Sequence, residues 1–467
     1  MKLTYKVKDK PKFGQVIVFA IQQLLAIMAA TLVVPVIINS NVTEMISNGT
    51  LAWTLDKPMS STVALFGAGI GTLVYLLFTK FKSPVFLGSS FAFLGSMTAA
   101  FAGASSMALG YLGLILGAVI AGLVYVIIAI IVKFAGVQWI NKLMPAAVIG
   151  PTVTIIGLSL AGNAIGDLQT APAGGDSKIA LICGLVTLTV TILASVYGKK
   201  MTKLIPFIIG ILAGYAVATV FTVIGNVAGI DALKVINFAP FRALAPEGQV
   251  AFSTFITLPE FSFLNALGGF SEINGAYIAT VAVAYAPVAF VVFAEHLADH
   301  KNISSIIESD LLEDPGLHRT LLGDGVGSMA GAFFGGCPNT TYGESVGCVA
   351  ITGNASVITI ITTAIAAIAI SFLSPFVAFV NTIPSCVMGG VCMALYGFIA
   401  VSGLKMIKNV DLEQNANLFT VSVILIAGIG GLTLTFGQIS ITSIACALIL
   451  GILVNLLVNK ARKNAEK

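Results

Sequence analysis

Along this chain the apolar residues come in long blocks, each closed by a short charged or turn-rich break. Blocks of about 20 residues match a bilayer hydrocarbon core roughly 30 Å thick, which one helix of that length crosses. Reading block by block gives fourteen spans, near 15–38, 60–78, 84–101, 109–132, 144–166, 179–198, 204–226, 277–299, 321–336, 340–353, 356–380, 383–403, 417–437 and 440–459. The third, ninth and tenth are short or broken. The pattern predicts an all-α polytopic membrane protein, because helices satisfy their own backbone groups in lipid. The first block is too long for a cleavable leader and has no small-residue cleavage site before the next block begins.

Two blocks resemble each other. Span five opens Met144-Pro145-Ala-Ala-Val148-Ile149-Gly150 and runs to Gly162, and span twelve opens Ile383-Pro384-Ser-Cys-Val387-Met388-Gly389 and runs to Gly403. They stand seven spans apart, so they cross the membrane in opposite directions. An odd-numbered repeat unit has to be inverted, which is a frequent plan among secondary transporters. Chance likeness of two glycine-rich spans is the alternative.

Composition agrees with a membrane protein. Of 467 residues, 57% are apolar and 9% charged, and the mean hydropathy is +1.00. Soluble chains carry about 25% charged residues, so this one has too few to cover a globular surface. The charges it has are sorted. With the N-terminus inside, the outer loops hold four of the 24 Lys and Arg: Lys57, Lys178, Lys234 and Arg242. The others, among them Lys2, Lys6, Lys8, Lys10, Lys12, Lys199, Lys200, Lys203, Lys460, Arg462 and Lys463, fall on the inner side. The positive-inside rule then places both termini in the cytoplasm. The net charge of +4 therefore describes one membrane face and implies no nucleic-acid partner. Six cysteines (Cys183, Cys337, Cys348, Cys386, Cys392 and Cys446) show no C-x-x-C spacing and read as small buried hydrophobes.

Short, Gly/Pro-interrupted spans at matching places in two halves point to a binding site. Span three reads Ser83-Pro84-Val-Phe-Leu-Gly88-Ser89-Ser90-Phe91-Ala92-Phe93. Span ten follows Gly335-Gly336-Cys337-Pro338 and reads Asn339-Thr340-Thr341-Tyr342-Gly343-Glu344-Ser345. Broken backbone there presents N–H groups at half-helix ends, tolerable only inside protein or beside a cavity. Close helix packing is the other use of such glycines. Two acids, Glu295 and Glu344, interrupt apolar sequence. A charge at the bilayer centre costs about 2.5–3.5 kcal/mol on insertion scales, so such carboxylates are functional by default. The alternative is a structural bond to a neighbouring helix. Asp299 follows Glu295 by one helical turn and shares its face, unless His300 and Lys301 mark the water boundary and Asp299 is a solvated span end. His296, His300 and His318 have no ligand spacing with cysteines, so neither a metal nor a cofactor is indicated. The absence of a nucleophile constellation argues against an enzyme.

Asn339-Thr-Thr-Tyr-Gly-Glu344, with Asp314-Pro-Gly-Leu-His-Arg319, Ala294-Glu295-His296, Leu87-Gly-Ser-Ser-Phe-Ala-Phe93 and Gln22-Gln23-Leu24, resembles the nucleobase–ascorbate transporter family, in its bacterial uracil permease branch. The likeness runs from span one to span fourteen. Purine-carrying relatives generally have Gln where this chain has Glu344.

The resemblance implies fourteen spans in two inverted repeats of seven, with short antiparallel strands in spans three and ten. It implies a core domain of residues 1–134 and 268–380 and a gate domain of residues 135–267 and 381–467. Glu295 and Glu344 would grip uracil, the backbone N–H groups of Phe91 and Gly343 would complete the site, and Tyr342 and Tyr396 would flank the base. A homodimer in the plasma (inner) membrane, moving core against gate as an elevator, is also implied. The chain departs from the pattern at Gln23 and Asp299, where uracil permeases often carry His. Uracil chemistry suits these residues: carboxylates accept from its N–H edges and half-helix N–H groups donate to its carbonyls. If protonation of the site favours uracil binding, the two are linked reciprocally and a proton gradient drives uptake, with Glu344 and Asp299 as the proton-coupling groups. Xanthine or another base on the same fold, and a channel, are the rival readings.

Overall fold

The computed structural model describes residues 3–136, 138–172, 174–199, 201–436 and 439–465. Lys2 and Lys200 lie outside the described residues, as do the side chains of Lys460, Arg462 and Lys463. The chain is mostly helical, and the elements that concern the site are these. First come α1 (Phe13–Ser47) and α2 (Ser61–Phe78), then strand β1 (Leu87–Ser89), α3 (Leu94–Ala102) and α4 (Met107–Ala135). Next are α5 (Ala146–Ser159), α6 (Ala161–Gln169), α7 (Ser177–Tyr197) and α8 (Pro206–Ala228). After a long connection follow α9 (Gly275–Ile307), α10 (Leu317–Gly335), strand β2 (Asn339–Thr341), α11 (Gly343–Thr352) and α12 (Val357–Ile370). The chain closes with α13 (Ser374–Thr382), α14 (Ser385–Ile407), α15 (Asn415–Ile429) and α16 (Ser443–Ala465).

Among the described residues, eight helical segments are long and apolar enough to cross a membrane: α1, α2, α4, α5 with α6, α7, α8, α9 and α14. Four shorter apolar helices accompany them, at Phe91–Ala102, Val357–Ile370, Asn415–Ile429 and Ser443–Val458. The fourteen blocks of the sequence are thus not fourteen equal helices. Two are split between a strand and a half-helix, and α10 is glycine-rich and carries His318, Arg319 and Asp324.

Two packing groups stand out. In one, α2 and α4 lie along α10, α9 lies against α4, and α1 and α2 lie against α12. In the other, α14 lies against α5, α6 and α7, while α7 packs on α8 and α15 on α16. Glycine permits the closest of these contacts. A methyl on Gly67 of α2 would run into the carbonyl of Gly331 on α10, and Gly71 meets Gly327 in the same way, four residues along on each helix. That small-xxx-small seam lets two backbones touch where lipid provides no hydrophobic drive for association. Pro145 and Pro384 hold equivalent places, each with extended backbone just before the first turn of α5 and α14.

The strands form where helix is disfavoured. Pro84 and Pro338 precede them, and a residue before proline is pushed out of the helical region. β1 and β2 pair antiparallel in the register Leu87–Thr341, Gly88–Thr340 and Ser89–Asn339. Every residue of both strands is buried. Asn339 donates from Nδ2 to the carbonyl of Gly67 (3.2 Å) and from its N–H to the Ser328 hydroxyl (2.9 Å), tying the strand pair to the α2–α10 seam.

Candidate functional site

A cavity of about 440 Å³ lies beside the strand pair, between the two packing groups. That is the size range of small-molecule sites. From the first group it is lined by Phe91, Tyr342, Gly343, Glu344, Thr340 and, along one face of α9, by Glu295, Asp299 and Asn302. From the second it is lined by apolar side chains of α5 and α14, including Ile149, Val153, Leu395 and Ile399. Among the described residues the lining holds three carboxyl groups and neither Lys nor Arg. One wall therefore carries acceptors and the other offers a greasy surface.

Helix geometry sets the acidic wall. Residues 295, 299 and 302 recur at i, i+4 and i+7, so one face of α9 presents them to the cavity. Glu295 is open to the cavity, Glu344 is half-buried, and Asp299 is buried at 8% exposure. Glu295 interrupts apolar sequence and faces the open cavity. Asp299 is no solvated helix end, since α9 runs on to Ile307 and the Asp299 carboxylate accepts a hydrogen bond from the Thr341 hydroxyl at 2.9 Å. Glu295 lies within electrostatic reach of Asp299, Glu344 and Asp324.

The donors come from helix ends. Gly343 opens α11, and Phe91 opens the short 3₁₀ turn that leads into α3. N–H groups in a first turn have no intrahelical acceptor, and helix N-termini carry partial positive charge. Both residues line the cavity. Tyr342 is locked behind them: its hydroxyl donates to the Ser89 carbonyl at 2.7 Å, and its ring lies where a side chain on Gly88 would have to go. Tyr396 is buried and lies outside the cavity lining. Its ring stands edge-on to Phe91, with centroids 6.3 Å apart, so it reaches the site through that ring.

Support for the first turn of α11 comes from α1. Gln23 donates from Nε2 to the Ser345 hydroxyl at 2.5 Å, and the same hydroxyl accepts the Phe86 N–H at 2.9 Å. The residue that departs from the resembled pattern is thus bonded next door to Glu344.

Behind the acidic wall lies a buried network that the sequence reading missed. His296 Nδ1 stands 2.7 Å from Asp324 Oδ2, and His296 Nε2 is 3.0 Å from the Thr320 hydroxyl. Thr340 of β2 donates to the same Asp324 oxygen at 3.3 Å. His300 stacks on His296 with ring centres 3.9 Å apart and meets the Tyr75 hydroxyl at 2.7 Å. Asp324 is fully buried, and among the described residues its Oδ1 has no hydrogen-bond partner. The available signal was its place in the chain: Asp324 lies seven residues beyond the first residue of α10. The helix begins at Leu317, four residues before the apolar block at 321, so Asp324 lies in its third turn and not at its end.

Phe91 and Ile156 line both this cavity and a second one of about 320 Å³ that runs toward Asn41, Asn163 and Ser443. These two side chains divide the two spaces. On the far side Asn163 bonds Asn41, and Asn41 donates to the Thr98 hydroxyl at 3.1 Å, bridging the two packing groups.

The sequence profile of the Permease family (Xan_ur_permease) matches residues 14–437. The chain is 36% identical to the uracil permease of Bacillus caldolyticus over 464 residues, 98% of this chain and 96% of that one. It is 35% identical to the uracil permease of Escherichia coli strain K12 over 456 residues, 97% and 93% of the two chains. Among solved structures, the transmembrane domain of a cyanobacterium bicarbonate transporter, BicA, superposes with a TM-score of 0.59 at 15% identity, covering 97% of this chain and 99% of that one. That last likeness concerns the fold.

Proposed function

The chain belongs to the Permease family, a family of transporters, and from that premise we propose that it carries uracil across the membrane together with protons. The observation that carries this reading is the pairing of two glutamates with two half-helix N-termini on one cavity wall. Glu295 and Glu344 accept from the N–H groups of the base, and the N–H groups of Phe91 and Gly343 donate to its carbonyls. Tyr342 packs beside it, and Tyr396 backs Phe91 from the opposite packing group. A neutral base needs no cation in the pocket, and the lining has none. The kinship with uracil permeases over nearly the full length supports the choice of base.

Proton coupling follows from the same acids. Glu344 binds a proton whose presence favours the base, and Asp299 shares the network through Thr341. Each ligand then raises the affinity for the other. We assign the first packing group, residues 1–134 and 268–380, to a moving core, and residues 135–267 and 381–467 to a gate. The chain crosses the plasma membrane fourteen times in two inverted repeats, with the strand pair inside spans three and ten and both termini in the cytoplasm. Under that topology the cavity reaches from Glu295 toward Asn302 and Met406, the inner ends of α9 and α14, and Phe91 with Ile156 closes it from outside. This is the inward-open stage of an elevator cycle. The test is uptake of radiolabelled uracil with competing bases, in cells without their own permease. Saturable, proton-dependent uptake blocked by excess uracil is the expected result, and uptake indifferent to both uracil and pH contradicts the reading.

A further inference from the structure

A separate cavity of about 340 Å³ opens where the end of α4 meets α9 and the start of α10. Lys133 of α4 and Lys301 of α9 stand at it, with His318 of α10 and one acid, Glu313. Its apolar lining includes Leu297 and Leu317. Both lysines are exposed, and neither takes part in an ion pair among the described residues. Lys80 and Arg319 add their charge, being within electrostatic reach of His318. Asp314, which Lys80 also reaches, and Glu313 offset part of this, and with Lys133, Lys301, Lys80 and Arg319 against them the mouth keeps a net positive charge.

The apolar side of the cavity continues onto the outer surface of α4. Ile127, Ile130 and Phe134 are exposed at 56%, 51% and 81%, an apolar strip that acyl chains can cover in a membrane. The Lys133 ammonium lies over the Phe134 ring, 5.6 Å from its centre, where hydrocarbon surface and cationic mouth meet. An occupant that satisfies both parts has an anionic head and an acyl body. Basic pockets between membrane helices are known to hold such headgroups. A free anion answers only the lysines, and a zwitterionic lipid brings a positive charge to a positive mouth.

We propose that this cavity binds an anionic phospholipid, its phosphate between Lys133 and Lys301 and its acyl chains along Leu297, Leu317 and the exposed strip of α4. The proposal is independent of which solute the protein carries. Its position gives the lipid leverage. Residues 297 and 301 stand about 200° around the helix from 295 and 299, so α9 turns one face to the lipid and the opposite face to the carboxyl wall. The bound lipid also sits at the last turn of α4, where the chain leaves the first packing group for the second.

The experiment uses the full chain purified in neutral detergent. Its melting midpoint and retained lipid, by native mass spectrometry, are measured with phosphatidylglycerol, phosphatidylcholine or inorganic phosphate added. Phosphatidylglycerol should raise the midpoint and stay bound, while the other two should do neither. Lys133→Gln with Lys301→Gln should weaken phosphatidylglycerol at least tenfold, and Lys133→Arg with Lys301→Arg should restore it. Lys199→Gln with Lys203→Gln, a pair outside the cavity lining, should change nothing. An equal response to phosphatidylcholine or to phosphate overturns the proposal, as does undiminished binding by the Gln pair. Should the Gln pair fail to fold, a photoactivatable phosphatidylglycerol on the unaltered protein decides. Adducts within 132–136, 297–301 or 312–318 support the site, and adducts only elsewhere remove it.

Discussion

Thr341 hands its hydroxyl hydrogen to Asp299, and through that one bond β2 and α9 share the acidic wall. Asp299→Ala removes the acceptor and leaves a buried hydroxyl unpaired, which costs about 1–3 kcal/mol. A lowered melting midpoint checks this. Asp299→Asn keeps the size and an acceptor, so its midpoint should stay near that of the unaltered chain. If Asp299 takes part in proton coupling, the pH profile of uptake differs between the unaltered chain, Asp299→Asn and Asp299→His, and three identical profiles leave it a structural residue. Glu295 faces the open cavity, so its replacement removes little packing and acts through the ligand. Glu295→Ala deletes a charged acceptor worth about 1.5–3 kcal/mol, and uracil binding to purified protein should fall at least tenfold. Unchanged affinity moves the site elsewhere. Glu295 and Glu344 were legible in the sequence because each is a charge inside apolar text. Asp324 was not, because the polar stretch Glu313–Arg319 just before it hid where α10 begins.

At the scale of elements, the strand pair depends on what lies beneath it. Asn339 reaches Gly67 because α2 and α10 touch backbone to backbone, and a side chain at Gly331 would meet the Asn339 amide. Gly331→Leu should therefore destabilise the fold by about 1–3 kcal/mol or more, since overpacking a tight seam forces backbone shifts. It should also weaken uracil binding, because β2 carries the chain into Gly343 and Glu344. A variant with unaltered midpoint and affinity contradicts the coupling of seam to site. The sequence pattern located these broken segments through their prolines and glycines. It could not tell close helix packing from a ligand-facing helix end, and the structure uses glycines for packing at 67 and 331 while Gly343 opens a helix at the cavity. Tyr396 was placed at the base by resemblance, and its position behind Phe91 is a tertiary fact that no local signal carries. One loop contact is sensitive to acid. Lys82 hydrogen-bonds Asp314 at 2.5 Å and holds that carboxyl below its ordinary range, with Lys80 and Lys8 adding to the effect. A carboxyl with a lowered folded value stabilises above its unfolded pKa and loses that contribution as pH falls through the folded one. The pair is exposed, so Asp314→Asn should barely move the midpoint at neutral pH.

For the whole molecule, the lysine-rich loops set an orientation that reporter fusions test. A fusion after Lys467 should be active only with a cytoplasmic reporter, and a periplasmically active one contradicts the fourteen-span reading. Light scattering in detergent checks the homodimer that the family resemblance implies. Hydropathy made the membrane class plain, because 9% charge over 467 residues leaves no other solvent for the surface. How the helices group, and that a cavity lies between the groups, depends on contacts far apart in the chain, such as α2 with α10 and α5 with α14. On the proposed mechanism, protons drive uracil through the cavity by way of Glu344. The most direct measurement is uracil accumulation in proteoliposomes under an imposed pH gradient, unaltered chain against Glu344→Gln. The unaltered protein should concentrate uracil above the outside level and lose it when the gradient is collapsed. Glu344→Gln, fixed in a neutral form, should bind and equilibrate uracil without concentrating it. Gradient-driven accumulation by Glu344→Gln equal to that of the unaltered chain would exclude Glu344 as the proton carrier.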